Sequence, residues 1–241
     1  MDSGVFHTAL YQPLHNALIF ITAHVPYGDV GIAIVTLTLL VRIILLPFSH
    51  KAVKSQVEMR KLEPELRAIQ EKHKNDRQEQ ARKTMELYRT RKINPLSGCL
   101  PIFIQIPIIF ALYYVFLKGL TDMGGLYSFI APPETIRTHF LGIIDLAGKS
   151  GILALIAGVT QYVQMKISMP PSPPKSPGGQ TAREEFMRTM TTQMRYILPI
   201  MVFFISYTIS AAVALYWSTS NLFSIGHEFL VKRNRETPGK A

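Results

Sequence analysis

The stretch from Ile93 to Leu117 reads INPLSGCLPIFIQIPIIFALYYVFL, with no charged side chain between Lys92 and Lys118. A membrane-spanning helix needs about 20 mostly apolar residues, because lipid offers no hydrogen-bond partner to an open backbone. Proline is tolerated at the start of such a helix and kinks it further along, which suits the three prolines of this stretch. The stretch therefore predicts a membrane span over residues 94–118.

The composition of the whole chain is typical of a membrane protein. Its 241 residues are 48% hydrophobic and only 17% charged, and the mean hydropathy is +0.17, which argues against a soluble globule and against disorder. Cys99, the single cysteine, cannot form an internal disulfide, and the seven histidines show no metal-ligand spacing. We therefore expect no structural metal and no cofactor.

Four further stretches with few or no charges also predict spans. The last apolar run, residues 196–227, is too long for one ordinary helix, so we divide it near residues 208–210. The apolar stretch at residues 150–165 is short, and its flanking lysines, Lys149 and Lys166, would need to extend toward the membrane surface. Together with residues 94–118, the predicted spans are residues 29–49, 146–167, 191–209 and 210–231.

Positive charges give the orientation of these spans. The formal charge is +10, and 22 of the 26 Lys and Arg side chains fall on one side of a five-span topology. Cytosolic loops carry the excess of Lys and Arg in membrane proteins, so we expect the N-terminus outside and the C-terminus in the cytosol. This segregation disfavours a DNA-binding role. The remaining segments are an external loop at 119–145, a Pro-rich cytosolic loop at 168–190 and a cytosolic tail at 232–241.

Two segments complete the predicted all-α membrane fold of five transmembrane helices. Residues 1–28 place apolar side chains opposite polar ones such as His15 and Asn16, which predicts an interfacial helix lying on the membrane. Residues 50–93 have 13 basic and 7 acidic side chains and a broken apolar stripe, which predicts a cytosolic helical hairpin bent near Pro64. A charged linker is the alternative for this segment. No signal-peptide pattern is evident, so we expect a multi-pass protein of the bacterial cytoplasmic membrane.

Arg42 is the one charged side chain that lies well inside a predicted span. A guanidinium near the middle of the bilayer costs at least about 2.5 to 3.5 kcal/mol on insertion scales, and it stays protonated. A side chain that reaches to the membrane surface is the alternative explanation. No acidic residue lies inside the spans to neutralise the charge, which leaves it available to an incoming carboxylate. Polar side chains that could form a hydrated site with it are Thr38, Gln105, Gln161 or Gln164, Trp217 and Ser220.

Motifs of covalent catalysis are missing from the sequence. It contains no HExxH, no GxSxG and no pair of aspartates within a span, so we expect a protein without enzymatic activity. A small-solute transporter or channel with a polar intramembrane cavity is the main alternative, although no inverted repeat is visible. A passive scaffold for the assembly of membrane complexes is another.

Several stretches resemble the YidC/Oxa1/Alb3 family of membrane protein insertases. The strongest likeness lies in residues 94–116 (NPLSGCLPIFIQIPIIFALYYVF) and in the hairpin sequences MRKLEPEL at 59–66 and IQEKHK at 69–74. Further similar stretches are LYQPLHNALIF at 10–20, TLTLLVRIILLP at 36–47, FLGIIDL at 140–146 and LYWSTSNLFSI at 215–225.

The resemblance implies a function and a set of partners. It implies a hydrophilic groove, open to the cytosol and to lipid, in which Arg42 attracts acidic or polar stretches of a nascent protein. Thr38 is then its neighbour, Trp217 meets the substrate helix, and Gln161 or Gln164 supplies an amide, depending on register. The implied partners are nascent membrane proteins, membrane lipids and the ribosome, with the Sec translocon as a further candidate. We therefore expect an insertase or chaperone that releases a hydrophobic helix laterally into lipid.

Overall fold

The structure, a computed structural model, describes residues 4–92, 100–116, 124–169 and 189–236, and most of these residues are helical. The predicted span at 94–118, the Pro-rich loop at 168–190 and the tail at 232–241 lie partly outside the described residues. The helices of the described part are α1 (Gln12–His24), α2 (Val30–Ile44), α3 (Leu46–Lys61), α4 (Glu63–Lys72), α5 (Arg77–Thr90), α6 (Leu100–Tyr114), α7 (Gly151–Ser168), α8 (Leu198–Thr208) and α9 (Ala211–Glu236).

Helix α1 follows a π-helical turn at His7–Tyr11 and packs against α2. Its side chains Leu18 and Ile19 are fully buried, but so are the polar side chains His15 and Asn16, each 1% exposed. The interfacial position of residues 1–28 stays a prediction, whereas the side chains of His15 and Asn16 lie inside the fold. Asn16 can be buried because its side chain bonds the backbone of the loop at residues 125–127. It donates to the Gly125 carbonyl at 3.2 Å and accepts from the Tyr127 amide at 2.7 Å.

Helices α2 and α3 form a pair bent by 65°. Asp29 caps the start of α2, where its Oδ1 accepts from the amides of Gly31 at 2.7 Å and Ile32 at 3.1 Å. The break falls at Leu45, just before Pro47, because proline fits the first turn of a new helix but not the interior of a continuing one. The bend therefore lies inside the predicted first span, 29–49.

In the described ranges, no single helix has both the length and the apolar composition to cross a membrane alone, whereas the bent α2–α3 pair passes that test jointly.

Helices α4 and α5 form the charged part of the chain. The α3–α4 break falls at Leu62, next to Pro64, and α5 starts after Asp76, whose carboxylate accepts from the Glu79 amide at 3.0 Å. Arg91, at the end of α5, pairs with Glu65 on α4 at 2.7 Å. This pair and the packing of α4 on α5 bring the two helices side by side.

Helices α7, α8 and α9 pack closely. Ser150 caps α7 by accepting from the Leu153 amide at 3.3 Å. A methyl group added at Gly158 of α7 would lie 3.1 Å from the Cβ of Phe203 and 3.3 Å from the Pro199 carbonyl oxygen, both on α8. The missing side chain of Gly158 therefore allows α7 and α8 to lie this close together. The main core joins α1, α2, α6, α7 and α9, and its buried side chains include Leu18, Ile34, Leu37, Ile108, Leu112, Leu153 and Leu215.

A short antiparallel β-hairpin, β1 (His139–Phe140) and β2 (Ile144–Asp145), is an addition to the predicted all-α fold. Its base is tied to the start of α2, since the Val30 amide donates to the Arg137 carbonyl at 3.0 Å and the Arg137 amide donates to the Gly28 carbonyl at 2.9 Å. Gly28 has a φ of +62° and lies so close to this segment that an added Cβ would be 2.1 Å from the Thr135 carbonyl oxygen. The loop before α7 is thus held against the first two helices.

Candidate functional site

Arg42 connects α2 to α9. It lies near the C-terminal end of α2, and its Nε donates to the Ser220 hydroxyl at 3.0 Å, with a second bond from a terminal guanidinium nitrogen to the same oxygen. Ser220 is only 1% exposed. Among the described residues, no carboxylate is paired with Arg42, so its contact is with a neutral group and its charge is not cancelled.

Gln105 of α6 makes a further polar contact with α9, and we call the set Arg42, Ser220, Tyr216 and Gln105 the polar line. Its side-chain amide donates to the hydroxyl of Tyr216, which is 5% exposed and lies one turn before Ser220 on the same face of α9. The structure therefore brings together three of the predicted site residues, Arg42, Gln105 and Ser220, on three helices. Tyr216 was not among the predicted site residues, although a hydroxyl one helical turn from Ser220 was a signal that could have identified it.

Thr38 and Trp217 lie beside this line. Thr38 is one turn before Arg42 and 3% exposed, and its hydroxyl donates to the Ile34 carbonyl of its own helix at 2.6 Å. This common helical contact satisfies the hydroxyl without a partner from another element. Trp217 follows Tyr216 and is half-buried, on a face of α9 rotated by about 100° from that of Tyr216.

Gln161 lies on the α7 side of the bundle, where α7 meets α9. It is 5% exposed, whereas Gln164, the alternative register, is half-buried. In the same contact, the Asn221 amide of α9 donates to Thr160 Oγ1 at 3.2 Å and approaches the Ala157 carbonyl at 3.4 Å. No bond between Gln161 and Arg42 or Ser220 is observed in the described residues, and Gln161 lies one turn after Ala157, which the Asn221 amide approaches.

The described residues line two sizeable cavities away from Arg42. One, of about 690 Å³, is bordered by Tyr27, Ile32, Arg137 and Leu141. The other, of about 650 Å³, lies between the end of α1 and the loop at residues 129–135. Both are at the Asp29 end of α2, opposite to the Arg42 end.

A second polar cluster joins α3, α7 and α9 at their far ends, and we call it the clasp: Arg60, Ile167, Ser168, Met169, Glu228 and Lys232. Glu228 is 2% exposed, and its carboxylate pairs with Lys232 at 2.8 Å and accepts from the Ser168 hydroxyl. The Ile167 carbonyl accepts from Lys232 at 2.9 Å and also from Arg60, which bonds the Met169 carbonyl at 2.6 Å. Arg60 and Glu228 had no predicted role in a site, because their contacts with Ile167, Ser168 and Met169 join residues 60 to 109 positions apart.

Two observations on the described residues concern a Ser–His pair and metal binding. The Ser224 hydroxyl donates to the Ser220 carbonyl at 2.9 Å, along its own helix, and is not paired with His227. In the described ranges, no group of three or more His, Cys, Asp or Glu side chains is placed to hold a metal ion. What the Arg42 site offers is a guanidinium, hydroxyls and an amide, which can bind an anion or polar chain by hydrogen bonds.

Comparison with known proteins matches residues 20–238 to the family described as 60Kd inner membrane protein. A membrane protein insertase YidC of Fusobacterium nucleatum is 35% identical over 228 residues, which are 93% of this chain and 97% of that relative. The corresponding protein of Clostridium tetani is 33% identical over 232 residues, 91% of this chain and 94% of the relative. The insertase YidC of Pelobacter propionicus is 31% identical over 97% of this chain, which spans only 40% of that longer relative.

Proposed function

Since this chain belongs to the 60Kd inner membrane protein (YidC/Oxa1) family, we propose that it is an insertase that moves nascent hydrophilic segments through a polar groove containing Arg42. The curated relatives are membrane protein insertases by name, and the matching family is described as an inner membrane protein. The observation that carries the Arg42 mechanism is the pairing of this guanidinium with a neutral serine rather than with a carboxylate.

Because Ser220, the partner of Arg42, is neutral, a carboxylate of the substrate can compete with it for the guanidinium. A hydrogen bond to a charged group contributes roughly 1.5–3 kcal/mol, whereas two opposite charges 4 Å apart attract by about 4 kcal/mol at an effective dielectric constant of 20. A carboxylate of the substrate can therefore displace Ser220 from Arg42. The two energies are close, so the pairing is weak enough to break when the substrate leaves.

The proposed path runs from the cytosol outward. With the N-terminus outside and five spans, Arg42 lies in the cytosolic half of the first span, where a nascent hydrophilic segment enters. The segment pairs transiently with Arg42 and is surrounded by Thr38, Gln105, Gln161 and Ser220, while its hydrophobic helix meets Trp217 and slides into lipid. Nascent membrane proteins and membrane lipids are the partners of this step, and the ribosome and the Sec translocon are proposed as suppliers of the substrate.

The test compares Arg42→Ala with Arg42→Lys in a vesicle insertion assay. The substrates are a single-span protein with an acidic N-terminal tail and the same protein with a neutral tail. We expect Arg42→Ala to impair the acidic substrate selectively and Arg42→Lys to restore most of its insertion, because charge rather than guanidinium geometry is required. Ser220→Ala removes the neutral partner of Arg42 and one hydroxyl of the groove but no charge, so it should reduce insertion of the acidic substrate less than Arg42→Ala does. Equal losses in the Ala and Lys variants, with normal folding, would contradict the mechanism and indicate a structural role.

Site-specific crosslinking during synthesis tests the path itself. Photoreactive residues at Thr38, Gln161 and Trp217 should capture the substrate, whereas one at the exposed Phe204 of α8 serves as the control. A small-solute transporter or channel would instead carry solutes across liposomes in the absence of any nascent chain. A passive scaffold would tolerate a neutral residue at position 42.

A further inference from the structure

The tip of the β-hairpin exposes two large aliphatic side chains. Between β1 and β2 the chain turns through Leu141, Gly142 and Ile143, and Leu141 is 61% exposed while Ile143 is 80% exposed. Leu141 also has a φ of +51°, a conformation that glycine adopts without strain and that is unfavourable for a leucine. The exposure of these two aliphatic side chains has no explanation in the fold itself.

The tip cannot relieve this exposure by folding back onto the core. The Leu141 amide donates to the second carboxylate oxygen of Asp29 at 2.7 Å, which fixes the tip to the cap of α2. The Phe140 ring packs so closely on Gly31 that an added Cβ there would lie 2.2 Å from it. Phe140 fills the inward side of the hairpin, so Leu141 and Ile143 are directed away from the core.

The tip lies at the end of α2 where the first proposed span begins. Asp29 marks the start of α2, and the apolar residues of the first proposed span begin with the next residue. Tyr27 lies two residues before Asp29 and is 75% exposed, and the Arg137 guanidinium is 5.2 Å from the centre of its ring. An aromatic ring with a cationic neighbour, placed at the end of an apolar helix, is typical of the boundary between lipid and water.

Charge and shape around the tip fit a phospholipid. Tyr27, Arg137 and Leu141 border the cavity of about 690 Å³, whose wall also includes the aliphatic side chain of Ile32. Arg137 is exposed, and in the described residues its side chain pairs with the Tyr27 ring rather than with a carboxylate. A guanidinium beside aliphatic side chains can bind an anionic phosphate while the aliphatics contact acyl chains.

We propose that the β-hairpin tip is a lipid-contact site: Leu141 and Ile143 insert into the leaflet that adjoins the Asp29 end of α2, and Arg137 binds the phosphate of a phospholipid headgroup. The tip then holds residues 137–146 at a fixed depth. This proposal rests on the proposed membrane position of α2, and the leaflet is named the outer one only through the proposed orientation of the spans.

Spin-label depth measurements test the proposal on the full chain. Cys99 is replaced by serine, and one cysteine is introduced by Ile143→Cys or, as the control, by Glu134→Cys, at an exposed acidic position of the same loop. Both variants are labelled and reconstituted in vesicles of phosphatidylethanolamine and phosphatidylglycerol. The label at position 143 should be reached by oxygen, which concentrates in lipid, and shielded from a water-soluble nickel complex, whereas the label at position 134 should show the reverse.

Two results would overturn the proposal. Equal access of the nickel complex to both labels would place the tip in water. Shielding of position 143 from both oxygen and nickel would mean that a second copy or another protein covers it. A second variant, Arg137→Gln, tests the headgroup contact: nickel access at position 143 should rise at least about twofold, and no change would exclude a role for the phosphate. Depth does not depend on orientation or on substrates, so a failure here leaves the Arg42 test untouched, and the reverse also holds.

Discussion

Removal of the Lys232 charge alone should destabilise the protein more than removal of the Lys232 and Glu228 charges together. Glu228 is 2% exposed, and its carboxylate is 2.8 Å from the Lys232 ammonium. Lys232→Met preserves the length and the apolar part of the side chain but leaves a buried carboxylate without its cation. Adding Glu228→Gln removes that uncompensated charge while the amide can still accept from Ser168.

The size of the effect follows from the burial of the two partners. Breaking a fully buried ion pair by removing one partner costs about 3–5 kcal/mol. The Lys232 side chain is 25% exposed, so water screens part of the interaction, and we take the lower end, about 3 kcal/mol. For a chain of this size, 1 kcal/mol corresponds to about 2–4 °C in Tm, so Lys232→Met should lower Tm by about 6–12 °C.

Thermal unfolding in detergent measures this difference. Helicity by circular dichroism reports the whole chain, and the emission of Trp217, the single tryptophan, reports α9. We expect the double variant Glu228→Gln, Lys232→Met to melt at least about 3 °C above Lys232→Met alone. Equal melting of the single and double variants, or a drop of less than about 2 °C in Lys232→Met, would refute the assignment of a buried charge to the clasp.

Two further predictions concern a glycine and an ion pair. Gly28→Ala should destabilise the chain by at least about 1 kcal/mol more than Gly125→Ala. Both glycines have positive φ, but the Cβ at position 28 would lie 2.1 Å from the Thr135 carbonyl oxygen, whereas that at position 125 meets nothing within 4 Å. Equal shifts in Tm for the two variants would contradict this prediction. Arg82 donates to both carboxylate oxygens of Glu79 and so lowers the pKa of Glu79. The pair therefore stabilises the fold above the unfolded-state pKa of Glu79 and loses that effect as pH falls through the folded-state pKa. A carboxyl NMR titration of the Arg82→Gln variant should show a higher pKa at Glu79 than in the unchanged chain, and an equal pKa would contradict the pairing.

The family and the helical class could be predicted from the sequence because both depend on local patterns. Long apolar runs without charge permit little other than helices in a membrane, and the stretch at 94–116 resembles a family motif over many consecutive residues. The break between α2 and α3 also had a local signal, Pro47, but the span prediction relied on hydrophobic length, which does not distinguish a straight helix from a bent one.

The contacts of the site could be predicted only in part. Arg42 and Ser220 are individually conspicuous as polar residues of apolar stretches, but their bond joins residues 178 positions apart, and no periodicity indicates which helix faces which. Amphipathicity alone does not indicate what covers the polar side of α1, and Asn16 is covered by the loop at residues 125–127, which it binds by hydrogen bonds. Two-residue strands are too short to show an alternating pattern, so the β-hairpin left no signal.

The double use of the Asp29 carboxylate has a consequence for the order of events during translation. One oxygen can cap α2 as soon as the next few residues are made, whereas the other waits for the Leu141 amide, 112 residues later. Contacts of such high sequence separation form late, after the intervening chain has been ordered. In a newly made molecule, α2 can therefore be complete at its start while the turn that finally rests on it has not yet left the polypeptide exit tunnel.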